Sequence, residues 1–248
     1  MKTKLIILIL LQCLFLISIN AQENEPVVQS EESEQNFSLS ADFVSNYTWR
    51  GLALSEAPNI QPTLTYTFPK IGLTLGSFGS YSFGDFYSEV DLFASKTIGM
   101  FSIELWDYFL MDQVGNNRFF DFKNESTTHA LEGILMFNGP ENFPLKVTLG
   151  TFFYGADKDF NGDNNYSTYF EFAYPFKWKK NNLSVFMGGT PFEGLYANDF
   201  AINNIGITNE REIKINDHFS LPVSGSLIIN PHLENIYLVL SISLEAND

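Results

Sequence analysis

From Phe37 onward the chain alternates apolar and polar residues almost without interruption. Phe37, Leu39, Ala41, Phe43, Tyr47 and Trp49 interleave with Ser38, Ser40, Asp42, Asn46 and Thr48. Ile60, Leu64, Tyr66 and Phe68 interleave in the same way with Gln61, Thr63, Thr65 and Thr67. A period of two marks a β-strand with one apolar and one polar face. The pattern predicts strands near 37–50, 60–68, 71–81, 87–97, 100–111 and 127–137, then near 143–154, 166–176, 183–190, 203–215, 218–229 and 235–245. Segments of about 9–11 residues suit a tilted strand that crosses a bilayer, and about twelve of them make an even number, as single-chain bacterial barrels have. The strand at 100–111 fits worst: Asp107 falls among its outward residues, which predicts a bulge or a register change there.

Connection lengths sort into two classes. Short ones fall at Pro69-Lys70, Ile98-Gly99, 138–140, 179–182 and Asn216-Asp217, and longer ones at 51–59, 112–126, 155–165 and 191–202. Short turns at one end and long loops at the other belong to an antiparallel up-and-down transmembrane β-barrel. Periodicity alone does not separate such a barrel from a soluble one, because only the direction of the apolar face differs. Aromatic residues near strand ends (Tyr47, Trp49, Tyr66, Phe68, Tyr174, Phe176 and Trp178) match the interfacial girdles of membrane barrels and favour the lipid-facing choice.

The N-terminus sets the compartment. Lys2 and Lys4 precede an apolar run from Leu5 to Ile19, and Ala21 stands before Gln22 as a signal-peptidase site. The run is shorter than the roughly 20 residues of a spanning helix, and acidic residues follow it, so a retained anchor is disfavoured. Cys13 lies inside the apolar run behind Gln12, a poor setting for lipid attachment. The expected organisation is a signal peptide at 1–21, an acidic disordered periplasmic tail at 22–36, and a barrel at 37–248 in the outer membrane of a Gram-negative-type bacterium. Cys13 is the sole cysteine, so the mature chain has neither disulfide nor thiolate chemistry.

Composition excludes one class of partner. The formal net charge is −15, without the basic footprint that nucleic-acid binding needs. The expected partners are outer-membrane lipid and lipopolysaccharide, with the barrel-assembly machinery during insertion.

The segment Ser45-Asn46-Tyr47-Thr48-Trp49-Arg50-Gly51-Leu52, followed by Ser55, Pro58 and Ile60-Gln61, resembles the opening of TorF-type porins. Glu89-Val90-Asp91-Leu92 looks like the acidic pair of that family's fourth strand, and Tyr166-Ser167-Thr168-Tyr169-Phe170-Glu171 is similar to a later one. Asn46 stands where the family commonly has Asp, and Glu245-Ala246-Asn247-Asp248 lacks the terminal aromatic of many outer-membrane proteins. The resemblance implies a barrel and leaves its substrate open.

Strand parity puts Asp42, Arg50, Glu89, Asp91, Glu104, Glu132, Lys146 and Glu171 on the lumen face, with Glu245 near one mouth. Acids dominate this set, and rings of carboxylates favour cations in a pore. The expected function is passive diffusion of small hydrophilic solutes with a weak cation preference. The alternative is a plugged structural or adhesive barrel in which Arg50 and its neighbours form internal salt bridges.

Asp157-Lys158-Asp159-Phe160-Asn161-Gly162-Asp163 follows the first half of a calcium loop, with Asp157, Asp159, Asn161 and Asp163 as its oxygen donors. Position twelve is Thr168 where a bidentate Glu belongs. Otherwise no cofactor is expected. A lipid hydrolase would need a nucleophile beside a histidine. His129 falls on the lipid side by parity, His218 and His232 lie in connections at opposite ends, and no nucleophile-elbow motif occurs. The chain therefore reads as a non-enzyme.

Overall fold

A computed structural model describes residues 36–111, 117–216 and 220–247. The expectations for residues 1–35, the signal peptide and nearly all of the acidic tail, lie outside the described residues, as does His218.

Twelve strands close into one antiparallel barrel. They are β1 (Phe37–Val44), β4 (Asn59–Phe68), β5 (Leu73–Ser82), β6 (Ser88–Ile98), β7 (Phe101–Phe109), β8 (His129–Asn138), β9 (Lys146–Gly155), β10 (Thr168–Trp178), β11 (Asn181–Thr190), β12 (Ala201–Lys214), β13 (Ser220–Asn230) and β14 (Asn235–Asn247). Each pairs with its sequence neighbours in the wall, and β1 joins β14 along a seam from Ser38↔Asn247 to Val44↔Ser241. Closure leaves no strand edge unpaired, which a backbone in hydrocarbon requires.

The first expected strand is divided. The wall part ends at Val44, and the chain continues into a hairpin of β2 (Tyr47–Trp49) and β3 (Leu52–Ser55) that forms its own two-stranded sheet. The cause is local. Ser45 donates its amide to the Leu240 carbonyl at 2.8 Å, and its Oγ accepts the Leu240 amide at 2.9 Å. Asn46 donates its side-chain amide to the Leu238 carbonyl at 3.2 Å. Short polar side chains thus take over the ladder that the backbone abandons. The chain is then free to leave the wall, and 51–59 is not the open loop its sequence predicts.

Direction of faces follows the alternation. Leu64, Leu92, Ile103, Leu149, Leu238 and Leu240 point outward, and Ile103 and Leu238 are 57% and 60% exposed. Their sequence neighbours Thr63, Asp91, Ser102, Gly150 and Ser241 point into the lumen. An apolar outside around a polar inside is the arrangement of a membrane barrel and the inverse of a soluble one. Tyr66, Phe68, Tyr174, Phe176 and Trp178 lie outward near the short-turn end as expected. Tyr47 and Trp49 do not belong to that girdle, because they ride on the inward hairpin.

Strand β7 corrects a second expectation. Its pairing runs without a shift from Phe101↔Ile98 to Asp107↔Leu92 on one side and to Phe109↔His129 on the other. Asp107 does face outward, but a partner stands beside it: His129 Nδ1 lies 2.7 Å from its Oδ1. Residues 117–128 fold over this pair, with the Phe119 carbonyl 2.7 Å from His129 Nε2 and the Phe122 ring stacked 4.3 Å from the imidazole. Irregularities in register occur instead at Leu131/Glu132 and at Gly188/Gly189.

Candidate functional site

The hairpin crosses the lumen. It leaves the wall at the β1–β14 seam, and its tip reaches Glu132 on β8, which stands five strands from β1 by one route round the ring and seven by the other. The two-residue turn is Arg50-Gly51, with φ of 50° and 78°. Two positive φ values define the tight turn that matches strand twist in a hairpin. Glycine meets that demand without cost, whereas Arg does so at a penalty of roughly 1–2 kcal/mol. A Cβ on Gly51 would lie 1.9 Å from the Asn203 carbonyl oxygen, so the tip sits tight against β12.

Arg50 is held from all sides. Nη1 donates to Glu132 Oε1 at 2.5 Å and Nη2 to Oε2 at 3.0 Å, a two-pronged, charge-assisted pair. Nη1 also donates to the Tyr196 hydroxyl at 2.6 Å. The guanidinium lies 4.4 Å from the Trp49 ring and 4.8 Å from that of Tyr169. Glu132 accepts a further bond from the Tyr108 hydroxyl at 2.8 Å. Gly150 makes this possible, because a Cβ there would stand 2.4 Å from Glu132 Oε1. The backbone of the tip is clasped as well: Asn203 donates to the Arg50 carbonyl at 3.2 Å and Asn230 to that of Gly51 at 2.9 Å. Contacts at this density hold a strained turn in one place.

Glu171 is bonded by the Tyr169 hydroxyl at 2.6 Å and by Asn204 at 3.0 Å. Glu104 accepts from the Trp106 indole at 2.7 Å, and Trp106 stacks 4.4 Å from Phe93. Asp42 accepts from Ser243 across the seam. Lys146 shares the inward parity of Gly150 and is exposed at the short-turn mouth. Glu89 and Asp91 are adjacent inward residues of β6, only 3% and 1% exposed. The Phe109 amide donates to Asp91 at 3.1 Å, and the Tyr87 hydroxyl to Glu89 Oε2 at 2.5 Å. Seven of these residues alternate with the exposed apolar residues of their strands, whereas Arg50 stands in a turn and not in a wall strand.

Glu210 and Glu212 escaped the sequence reading. They join Asp42 and Glu245 around a cavity of about 460 Å³ at the short-turn mouth. Their signal was available in Gly206, Thr208, Glu210 and Glu212, which alternate with Ile205, Ile207, Arg211 and Ile213. Tyr196 carried no such signal. It belongs to the 191–200 connection, which folds inward until Tyr196 is buried.

The 157–163 segment is arranged as a hydrogen-bonded turn. Asp157 accepts from the Ser167 amide and hydroxyl, while one Asp159 oxygen accepts the amides of Asn161 and Asp163. Among the described residues no three His, Cys, Asp or Glu side chains converge as metal ligands. His129, with its two nitrogens directed at Asp107 and the Phe119 carbonyl, has no ring nitrogen left to serve a nucleophile.

A second tether fixes the hairpin base. Ser55 on β3 donates to Asp85 in the 83–87 connection at 2.7 Å, and the Tyr87 amide donates to the same carboxylate at 3.1 Å. Hydrogen bonding by Ser82, joined by that from Ser55 and Tyr87, holds the Asp85 carboxyl down at about 2. The folded value lies below the ordinary value of about 3.9, so the tether is complete above pH ~4 and is lost as pH falls through about 2. Pepsin cleavage beside Phe83 and Phe86 should accordingly rise between pH 4 and pH 2. In Asp85→Asn, digested in parallel with the same enzyme, that rise should be absent.

No family model matches the chain, and no curated protein matches it. Among solved structures it is similar to a KdgM porin, at 11% identity and a TM-score of 0.46, over 84% of this chain and 97% of that one.

Proposed function

We propose that the chain is an outer-membrane channel for passive diffusion of small hydrophilic solutes, with a weak preference for cations. The observation that carries this reading is the β2–β3 hairpin, turned into the lumen of an apolar-coated barrel and docked there by Arg50. A segment that narrows a polar passage sets the size of what crosses, and the wall strands remain free to span the bilayer. Cavities of about 300 Å³ and 460 Å³ lie at the long-loop and short-turn ends. The carboxylates of Asp42, Glu210, Glu212 and Glu245 around the second, against the single base Arg211, support the cation preference. Short turns face the periplasm in barrels of this kind, which puts the hairpin base on the outer side.

A second reading is a barrel closed by its own hairpin, favoured by the buried Arg50–Glu132 pair. Planar bilayers separate the two. Purified protein under a salt gradient should give discrete conductance steps and a reversal potential on the cation side. Glu210→Gln with Glu212→Gln should move that potential toward zero with little loss of stability, because lumen substitutions mainly tune selectivity. A folded barrel that never conducts establishes the closed form, and an anion-side potential refutes the charge argument.

A further inference from the structure

The cavity at the long-loop end has a composition that a passage for hydrophilic solutes does not need. It lies between the hairpin and the wall from β6 to β9, and most of its surface is apolar. Trp49, Leu52 and Leu54 contribute from the hairpin, and Tyr87, Tyr108 and Phe152 from the opposite side. Trp49 meets Tyr108 edge-on at 5.8 Å, and Tyr47 meets Tyr87 edge-on at 5.7 Å, so flat rings form the walls.

Glu89 also lines this cavity. Its Oε2 is bonded to Tyr87, but Oε1 is buried without a hydrogen-bond partner. Tyr47 faces the same carboxylate from the hairpin. Among the described residues no Lys, Arg or His forms an ion pair with Glu89 or with neighbouring Asp91. The nearest cation in the lining, Lys158, donates to Asn124 at 2.9 Å and to Asn164. A buried carboxylate oxygen without a donor has lost its water and gained nothing in return, which is unfavourable. A ligand that brings an N–H and a positive charge to Oε1 removes that cost. Aromatic faces around it attract the same cation.

From this geometry we infer that the outer cavity binds an amphipathic organic cation, one primary ammonium on a flat apolar body. The ammonium meets Glu89 Oε1, and the body lies among Trp49, Tyr108 and Phe152. The inference deepens the channel reading by naming a solute class for its entrance, but binding does not require conduction.

Calorimetric titration of the full barrel in detergent micelles tests it, with benzylammonium as the probe. Benzyl alcohol carries the body without the charge, and methylammonium the charge without the body. Benzylammonium should bind saturably, and each control at least tenfold more weakly. Glu89→Gln should weaken benzylammonium at least tenfold. Leu54→Lys, which adds a like charge to a half-buried lining position, should do the same, and it decides the matter if Glu89→Gln does not fold. No saturable binding, equal binding by both variants, or equal binding of benzyl alcohol would each overturn the inference. Phenylalanine binding as tightly as benzylammonium would also overturn it, in favour of a zwitterion site that uses Lys158. Binding without bilayer conductance would leave the site standing and remove the channel.

Discussion

Arg50→Ala should release the hairpin from the lumen and raise single-channel conductance. Removing one partner of a buried ion pair typically costs about 3–5 kcal/mol, because the other charge is left uncompensated. Glu132 is fully buried, and after the change the Tyr108 hydroxyl is its remaining hydrogen-bond donor among the described residues. The same substitution removes the donor to Tyr196 and the cation stacked on Trp49 and Tyr169. Loss should fall on hairpin docking and not on the wall, whose ladders do not pass through Arg50. The expected signature is a red shift of Trp49 emission with an unchanged heat-dependent gel shift. Arg50→Met combined with Glu132→Met should be milder than either single change, since exchanging both charges for apolar groups leaves none uncompensated. A double variant as damaged as the sum of the singles would show that the pair is not the clasp.

The second large effect lies on the opposite side of the wall. Phe172 on β10 faces outward and is 43% exposed, between lumen-facing Glu171 and Ala173. An arginine facing lipid near the midplane costs about 2–4 kcal/mol. Phe172→Arg should therefore lower stability by that amount in urea titrations of vesicle-inserted protein. Phe172→Leu should cost much less. Glu171→Gln, one residue away but inside, should keep most of its contacts with Tyr169 and Asn204. If Phe172→Arg were tolerated as well as Glu171→Gln, the outer face would not meet lipid.

The wall was legible because its signal is repeated. Each strand restates the same alternation, and one register fixes the next through a short turn, so twelve strands and a shared face for Glu89, Asp91, Glu104, Glu132 and Glu171 follow from period, while the girdle aromatics are what turn that face inward. The hairpin was not legible, because Tyr47 and Trp49 continue the alternation of Phe37 to Phe43 in phase. What interrupts the strand is a pair of side-chain-to-backbone bonds from Ser45 and Asn46 to β14, nearly two hundred residues away in sequence. Period carries no information about such a partner. The segment 45–52, which resembles TorF-type porins, is the one that turns inward, so its residue types reflect a docking surface more than a strand. Asp107 misled in the other direction. A carboxylate on an apolar face suggests a register change, yet His129, two positions along β8 from the Leu131 that pairs with Asp107, bonds it beneath a folded-over loop, and the ladder has no need to shift.

The clasp at the hairpin tip has a consequence for the order of assembly. Asn203 and Asn230 reach the Arg50 and Gly51 carbonyls across 153 and 179 positions of sequence. Such bonds are among the slowest to form, since the intervening chain must be arranged first. The hairpin, which precedes both partners in the chain, thus docks only after β12 and β13 have joined the wall. Burial of Trp49 then times the closing of the seam, a step that strand content alone does not register.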